Sequence, residues 1–168
     1  DVGDEVFARL EKGRMGGLAE RVAADASVVA RKPKRASFVE AAAVPLAGLT
    51  SLQALRDVAE LVPGQRVLIH AGSGGVGSLA IQIAKQLGLW VATTTSTKNI
   101  ELVKSLGADA VVDYTKHEPL PGELDAVFDT LGTTELASIA ACKRGGIVVG
   151  IGGMPDAAFA RGRLPCFA

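Results

Sequence analysis

The chain has 168 residues, 48% of them apolar, with 18 basic and 18 acidic side chains and a formal net charge of zero. That is the size of one ordinary domain with a real core. The balanced charge argues against nucleic acid or an anionic membrane as the main partner, because both select a basic surplus, and no apolar run reaches the roughly 18 residues of a membrane span.

Taken in chain order, residues 1–30 suggest short strands. GDEVFARL is followed by a glycine-rich link and GLAERVAADAS, where Leu18, Val22 and Ala24 alternate with polar residues and predict a hairpin. Arg31-Lys32-Pro33-Lys34-Arg35 groups four cations around a proline. Such a cluster can touch phosphates. No aromatics interleave and no basic helix follows, which favours a solvated loop. Ser37 and Glu40 have capping-box spacing, so a helix starts there. Pro45 is expected to interrupt it, with a longer helix over 47–61. Pro63-Gly64 then makes a turn.

From residue 66 the pattern becomes regular. Strands are predicted at 67–69, 90–95, 110–112, 125–129 and 147–149. Helices are predicted after the glycines to residue 87, over 98–106 and over 133–142. Apolar strands alternating with helices imply a parallel sheet covered on both faces, an α/β doubly wound fold.

Gly72-Ser73-Gly74-Gly75-Val76-Gly77 fits G-x-G-x-x-G between the first of these strands and its helix. The first glycine permits the tight turn, the second brings backbone close to a pyrophosphate, and the third lets helix and strand pack. The helix adds unpaired N–H groups and its positive dipole end. A P-loop would need lysine after Gly77, where Ser78 stands. An NAD site would place an acid about 20 residues past the first glycine. The stretch there is Thr93-Thr94-Thr95-Ser96-Thr97-Lys98. Hydroxyls and a cation suit a 2′-phosphate, which makes NADP(H) the expected cofactor. Ser96 or Thr97 also serves to cap the following helix, and the two roles are compatible. His70 ends a strand beside the loop; as a proton donor it competes with the plainer reading of a packed, hydrogen-bonded group. Neither Cys142 nor Cys166 belongs to a CxxC or zinc-spaced cluster, so both read as reduced thiols in a cytoplasmic protein.

The motifs DVGDEVFA, GGLAERV, AAAVPLAGLTSLQAL, PGQRVLIHAGSGGVGSLAIQIAKQLG, STKNIELVKSLGADAVVDY, DAVFDTLG and GGIVVGIGG, in this order, resemble the zinc-independent medium-chain dehydrogenase/reductases, nearest to the quinone oxidoreductase (zeta-crystallin-like) branch. The resemblance spans residues 1–155. It implies a Rossmann doubly wound parallel sheet over 46–168, lacking its last strand, preceded at 1–45 by a remnant of a β-rich (GroES-like) substrate domain. The chain opens at Asp1 and reads as an excerpt of a protein about twice as long, a homodimer when whole.

The resemblance also implies roles. Ser73, Gly74, Gly75 and Val76 correspond to the pyrophosphate loop. Ser96, Lys98 and Tyr114 correspond to the contacts of the adenosine 2′-phosphate, although Tyr114 also reads as a strand-end aromatic. Thr50 corresponds to a residue near the nicotinamide. Leu131 and Gly150, Ile151 and Gly152 correspond to the wall beside ribose and nicotinamide. Asp129 reads as structural support. Zinc-using relatives carry a cysteine ligand four residues before the threonine matched by Thr50; here that position is Leu46, so no metal site is expected.

The implied reaction is hydride transfer from NADPH to a small quinone, enone or 2-alkenal. No catalytic acid can be named, and a chain without the remaining substrate walls is expected to turn over poorly. Two other readings stand: an enoyl-reductase module of a larger synthase, and a non-catalytic nucleotide-binding or structural protein.

Overall fold

Two three-residue strands begin the chain in the computed structural model, which describes residues 1–11, 13 and 16–153. β1 (Val6–Ala8) runs antiparallel to β2 (Val29–Arg31), with Phe7 opposite Ala30. The hairpin expected with residues 18–24 does not form: that segment holds no strand, and Leu18 is fully exposed. The returning strand is set instead by Asp25. Its carboxylate accepts the Ser27 N–H at 2.8 Å and caps a single 3₁₀ turn that aims Val29 back along β1. The basic run is partly engaged with acids of the first strand. Arg31 donates to Asp4, while Lys32 is buried, 3.1 Å from Glu5 and over the Phe38 ring.

Ser37 and Glu40 form the expected capping box, Ser37 N–H to Glu40 Oε2 at 2.8 Å and Glu40 N–H to Ser37 Oγ at 3.2 Å. They open α1 (Phe38–Leu52). Pro45 does not interrupt it; the helix runs through the proline and continues as a π-helical turn over Gln53–Val58. One missing N–H in a helix of this length is outweighed by packing further along, where Ser51, Ala54 and Leu55 are buried. Because the helix is unbroken, Phe38–Val58 is 21 residues with mean hydropathy 1.4, long and apolar enough by length and composition to cross a membrane. That overturns the expectation that no such stretch exists. A core helix meets the same test.

The chain divides into two compact units, Asp1–Leu49 and Thr50–Ala168, so the division falls inside α1. The second unit is built on five parallel strands: β3 (Arg66–Ile69), β4 (Trp90–Thr95), β5 (Ala110–Asp113), β6 (Leu124–Asp129) and β7 (Cys142–Gly150). They lie in the order β5-β4-β3-β6-β7. Val67, Leu68 and Ile69 in the central strand have no exposed surface, as a strand covered on both faces requires. Register is fixed by pairs such as Leu68 with Ala92 and Leu68 with Val127.

Three helices connect the strands: α2 (Gly75–Gln86), α3 (Ile100–Ser105) and α4 (Glu135–Ala141). Ala80, Ile81 and Ala84 of α2 are fully buried against the sheet, together with Val91, Val103 and Phe128. The order reverses between β3 and β6, so the loops leaving those two strands diverge there. Such a switch point opens a crevice beyond the carboxyl ends of the strands. Cys166 lies outside the described residues.

Candidate functional site

The loop from β3 to α2 is shaped by close approach. A Cβ on Gly72 would stand 2.0 Å from Thr93 Oγ1, and one on Gly77 would stand 2.2 Å from the Ala71 carbonyl oxygen. Both glycines are therefore demanded by packing of loop, strand and helix. The sharp turn itself is made by Ala71, at φ 51°, rather than by the first glycine as the motif suggested. Gly75 differs: nothing of the protein lies within 4 Å of where its Cβ would be. Gly74 and Gly75 are exposed at the start of α2, where the first N–H groups have no helical acceptor. The loop thus presents bare backbone donors and a positive dipole end to an open space, which fits a pyrophosphate.

Ser73 is tied to the end of β4. Thr95 Oγ1 donates to Ser73 Oγ at 3.0 Å, and Asn99 Nδ2 donates to the same oxygen at 3.1 Å. Asn99 also reaches Ser96 Oγ at 3.5 Å. Ser96 caps a 3₁₀ turn over Thr97–Asn99 that carries Lys98 outward, exposed to solvent. The nearest carboxylate is Asp113, buried at the end of β5. Its oxygens are taken by the hydroxyls of Thr115 and Thr97, which hold it below the ordinary carboxylate range. Glu101 pairs with Lys104 at 3.3 Å. The rim of hydroxyls and Lys98 is therefore not opposed by a free acid.

Tyr114 and Leu131, from different loops, line one cavity of about 440 Å³ with His70, Thr94 and Val112. Leu131 and Gly132 in turn meet the loop after β7. A Cβ on Gly152 would stand 2.6 Å from the Leu131 carbonyl carbon, and Ile151 N–H donates to Asp129 O at 3.1 Å. Gly150 and Ile151 are exposed. Thr50 lies on α1 beside Ser51, whose hydroxyl donates to the Val76 carbonyl at 3.1 Å and so fixes that helix to the glycine loop.

His70 is 2% exposed and fully occupied. Its Nδ1 lies 3.2 Å from Thr94 Oγ1 and its Nε2 3.1 Å from Ser138 Oγ. Thr94 Oγ1 already accepts the Ala71 N–H, and Ser138 Oγ already donates to Thr134 O. Only one wiring is consistent: Thr94 donates to Nδ1, and Nε2–H donates to Ser138. Burial lowers the histidine pKa, opposed by the Asp129 charge. His70 is a neutral brace, as the plainer sequence reading had it. Asp129 supports the next loop: Oδ1 accepts the N–H groups of Leu131 and Gly132, and Oδ2 accepts Thr134 Oγ1. Burial raises its pKa, but these donors outweigh it and the carboxyl stays below its usual value.

The motif did not identify Thr95, Asn99, Asp113 or Ser138. Their one visible trace was the TTTST run, a polar stretch in a strand too buried for idle hydroxyls.

The family model of the zinc-binding dehydrogenases matches residues 75–165, more than half of the chain. The chain belongs to this family. In tomato (Solanum lycopersicum), a 2-methylene-furan-3-one reductase is 45% identical over 88% of this chain and 40% of its own length. An NADPH-dependent alkenal/one oxidoreductase, chloroplastic, of Arabidopsis thaliana is 42% identical over 90% of this chain and 41% of its own. Among solved structures, the quinone oxidoreductase of Coxiella burnetii matches with a TM-score of 0.80 and 35% identity, over 96% of this chain and 52% of that one. The chain thus spans about two fifths to one half of the proteins it matches. The metal in the family's name finds no fit here: among the described residues, no three His, Cys, Asp or Glu side chains are grouped to hold an ion, and Leu46 is exposed.

Proposed function

We propose that the chain is the dinucleotide-binding portion of a zinc-independent, NADPH-dependent reductase acting on a small quinone, enone or 2-alkenal. The observation that carries this reading is the acid-free rim after β4, Ser96 and Lys98, set beside the open loop at Gly75. A 2′-phosphate needs donors and a cation with no competing carboxylate, and Asp113 is already engaged by its two threonines. The names of the plant relatives support the reduced cofactor and the conjugated carbonyl class.

When bound, NADPH supplies the hydride. The chain's own residues bind and orient. Gly75 and its neighbours offer backbone N–H groups to the phosphates. Leu131 and the Gly150–Ile151–Gly152 backbone form an apolar, side-chain-poor wall, and Thr50 is held near the loop through Ser51 and Val76. His70 moves no proton, because both its nitrogens are occupied away from solvent.

The test is a calorimetric titration of Lys98→Glu against both reduced cofactors. Losing a charge-assisted bond and facing a carboxylate should weaken NADPH about 10- to 100-fold while NADH changes less than about twofold. Equal loss for both would remove the 2′-phosphate assignment. NADPH oxidation should be faster with 1,2-naphthoquinone than with a crotonyl thioester; the reverse order would identify an enoyl reductase.

A further inference from the structure

The Ser73 hydroxyl receives two hydrogen bonds, from Thr95 Oγ1 and from Asn99 Nδ2. A hydroxyl has two acceptor positions and one proton. Both acceptor positions are therefore filled from the β4 side, and among the described residues no acceptor takes the Ser73 proton. Thr95 is 1% exposed, so its donor has no water to turn to. Ser73 itself is half-buried and adjoins the exposed Gly74 and Gly75.

We propose that Asn99 is a positioning residue for the dinucleotide. By donating to Ser73 Oγ alongside Thr95, it fixes the serine as an outward hydrogen-bond donor to an anionic or hydroxyl oxygen of the cofactor's pyrophosphate–ribose portion. The inference rests on the reading of the loop as a dinucleotide site and deepens it. An aspartate in place of Asn99 would have the same shape and the opposite effect. A carboxylate accepts, so it would draw the Ser73 proton inward and leave the ligand facing an oxygen lone pair. Because pyrophosphate and ribose are common to both cofactors, the role is blind to the 2′-phosphate. That separates it from Lys98 and from the Asn99 contact to Ser96.

The test is a double-mutant cycle read as Kd by calorimetry, with melting temperature as the control for folding. Asn99→Ala and Ser73→Ala should each raise Kd about five- to tenfold, for NADPH and NADH alike. In the Ser73→Ala background, Asn99→Ala should change Kd by less than about twofold. Asn99→Asp should raise both Kd values at least about tenfold with a melting temperature within about 4 °C of the parent. Additive effects, or a loss confined to NADPH, would overturn the positioning role and leave the cofactor assignment standing. Absence of binding by the unaltered protein would overturn both.

Discussion

Each nitrogen of His70 meets a hydroxyl, and each hydroxyl comes from a different part of the sheet: Thr94 from β4 and Ser138 from α4, 68 residues away. A protonated ring would leave Nδ1–H pressed against Thr94, whose hydroxyl already holds the Ala71 N–H. The folded state thus disfavours the charge, and burial lowers the pKa from the ordinary 6.5. The sign follows: the unfolded chain binds the proton more readily, so stability is complete above about pH 6.5 and falls as the pH drops below it toward the lowered folded value. Urea unfolding at pH 8 and pH 5.5 should show a loss in the parent that His70→Gln does not share. Its carboxylates titrate lower still, so they leave this window clear. The sequence placed His70 at a strand end and favoured a bonded role, but could not name its partners. Long-range pairs such as His70–Ser138 leave no local pattern; only the fold brings them together.

At the scale of elements, the glycine loop divides its residues between folding and binding. A methyl on Gly77 would collide with the Ala71 carbonyl, a backbone atom held by the turn. Gly77→Ala should therefore cost about 3 kcal/mol in urea unfolding. A methyl on Gly75 meets nothing and sits at the first helical position. Gly75→Ala should leave stability unchanged or raise it by up to about 1 kcal/mol, while calorimetry finds NADPH weakened because the added methyl occupies the open side of the loop. The strand-loop-helix unit was legible because its signals are local: apolar Val67–Ile69, then glycines, then an amphipathic run. Elements decided by distant packing were not. Pro45 reads as a break, yet α1 runs through it into the buried Ala54 and Leu55. Residues 18–24 alternate like a strand, but the turn at Asp25 gives the pairing to Val29–Arg31. Likewise β7 begins directly after α4, several residues before Ile147, because Cys142 pairs with Leu124 across a shift in register.

The two units of the molecule differ in what holds them. Among the described residues, every cluster of buried apolar side chains lies beyond residue 49. The first unit has two strands of three residues, and its one buried apolar residue is Ala41. Native-state hydrogen exchange should follow this division: amides of Val67, Leu68, Val91 and Val127 exchange only on global unfolding, while those of Phe7 and Ala30 exchange through local opening at much lower free energy. Equal protection in both would mean that the first unit is held by more than its own contacts. The sheet order itself was foreseeable from alternating strands and helices, whereas the point of division inside a continuous helix was not, since nothing in the composition changes there. Trp90 opens β4 with the Arg66 guanidinium 4.0 Å above its ring. It is the only tryptophan in the chain, and the six-residue strand carries it roughly 17 Å from the loops at the other end. Its intrinsic fluorescence is therefore a built-in gauge at the floor of the sheet. A change in emission on adding a reduced nicotinamide would travel by energy transfer along the strand, and a red shift would mark the opening of the sheet itself.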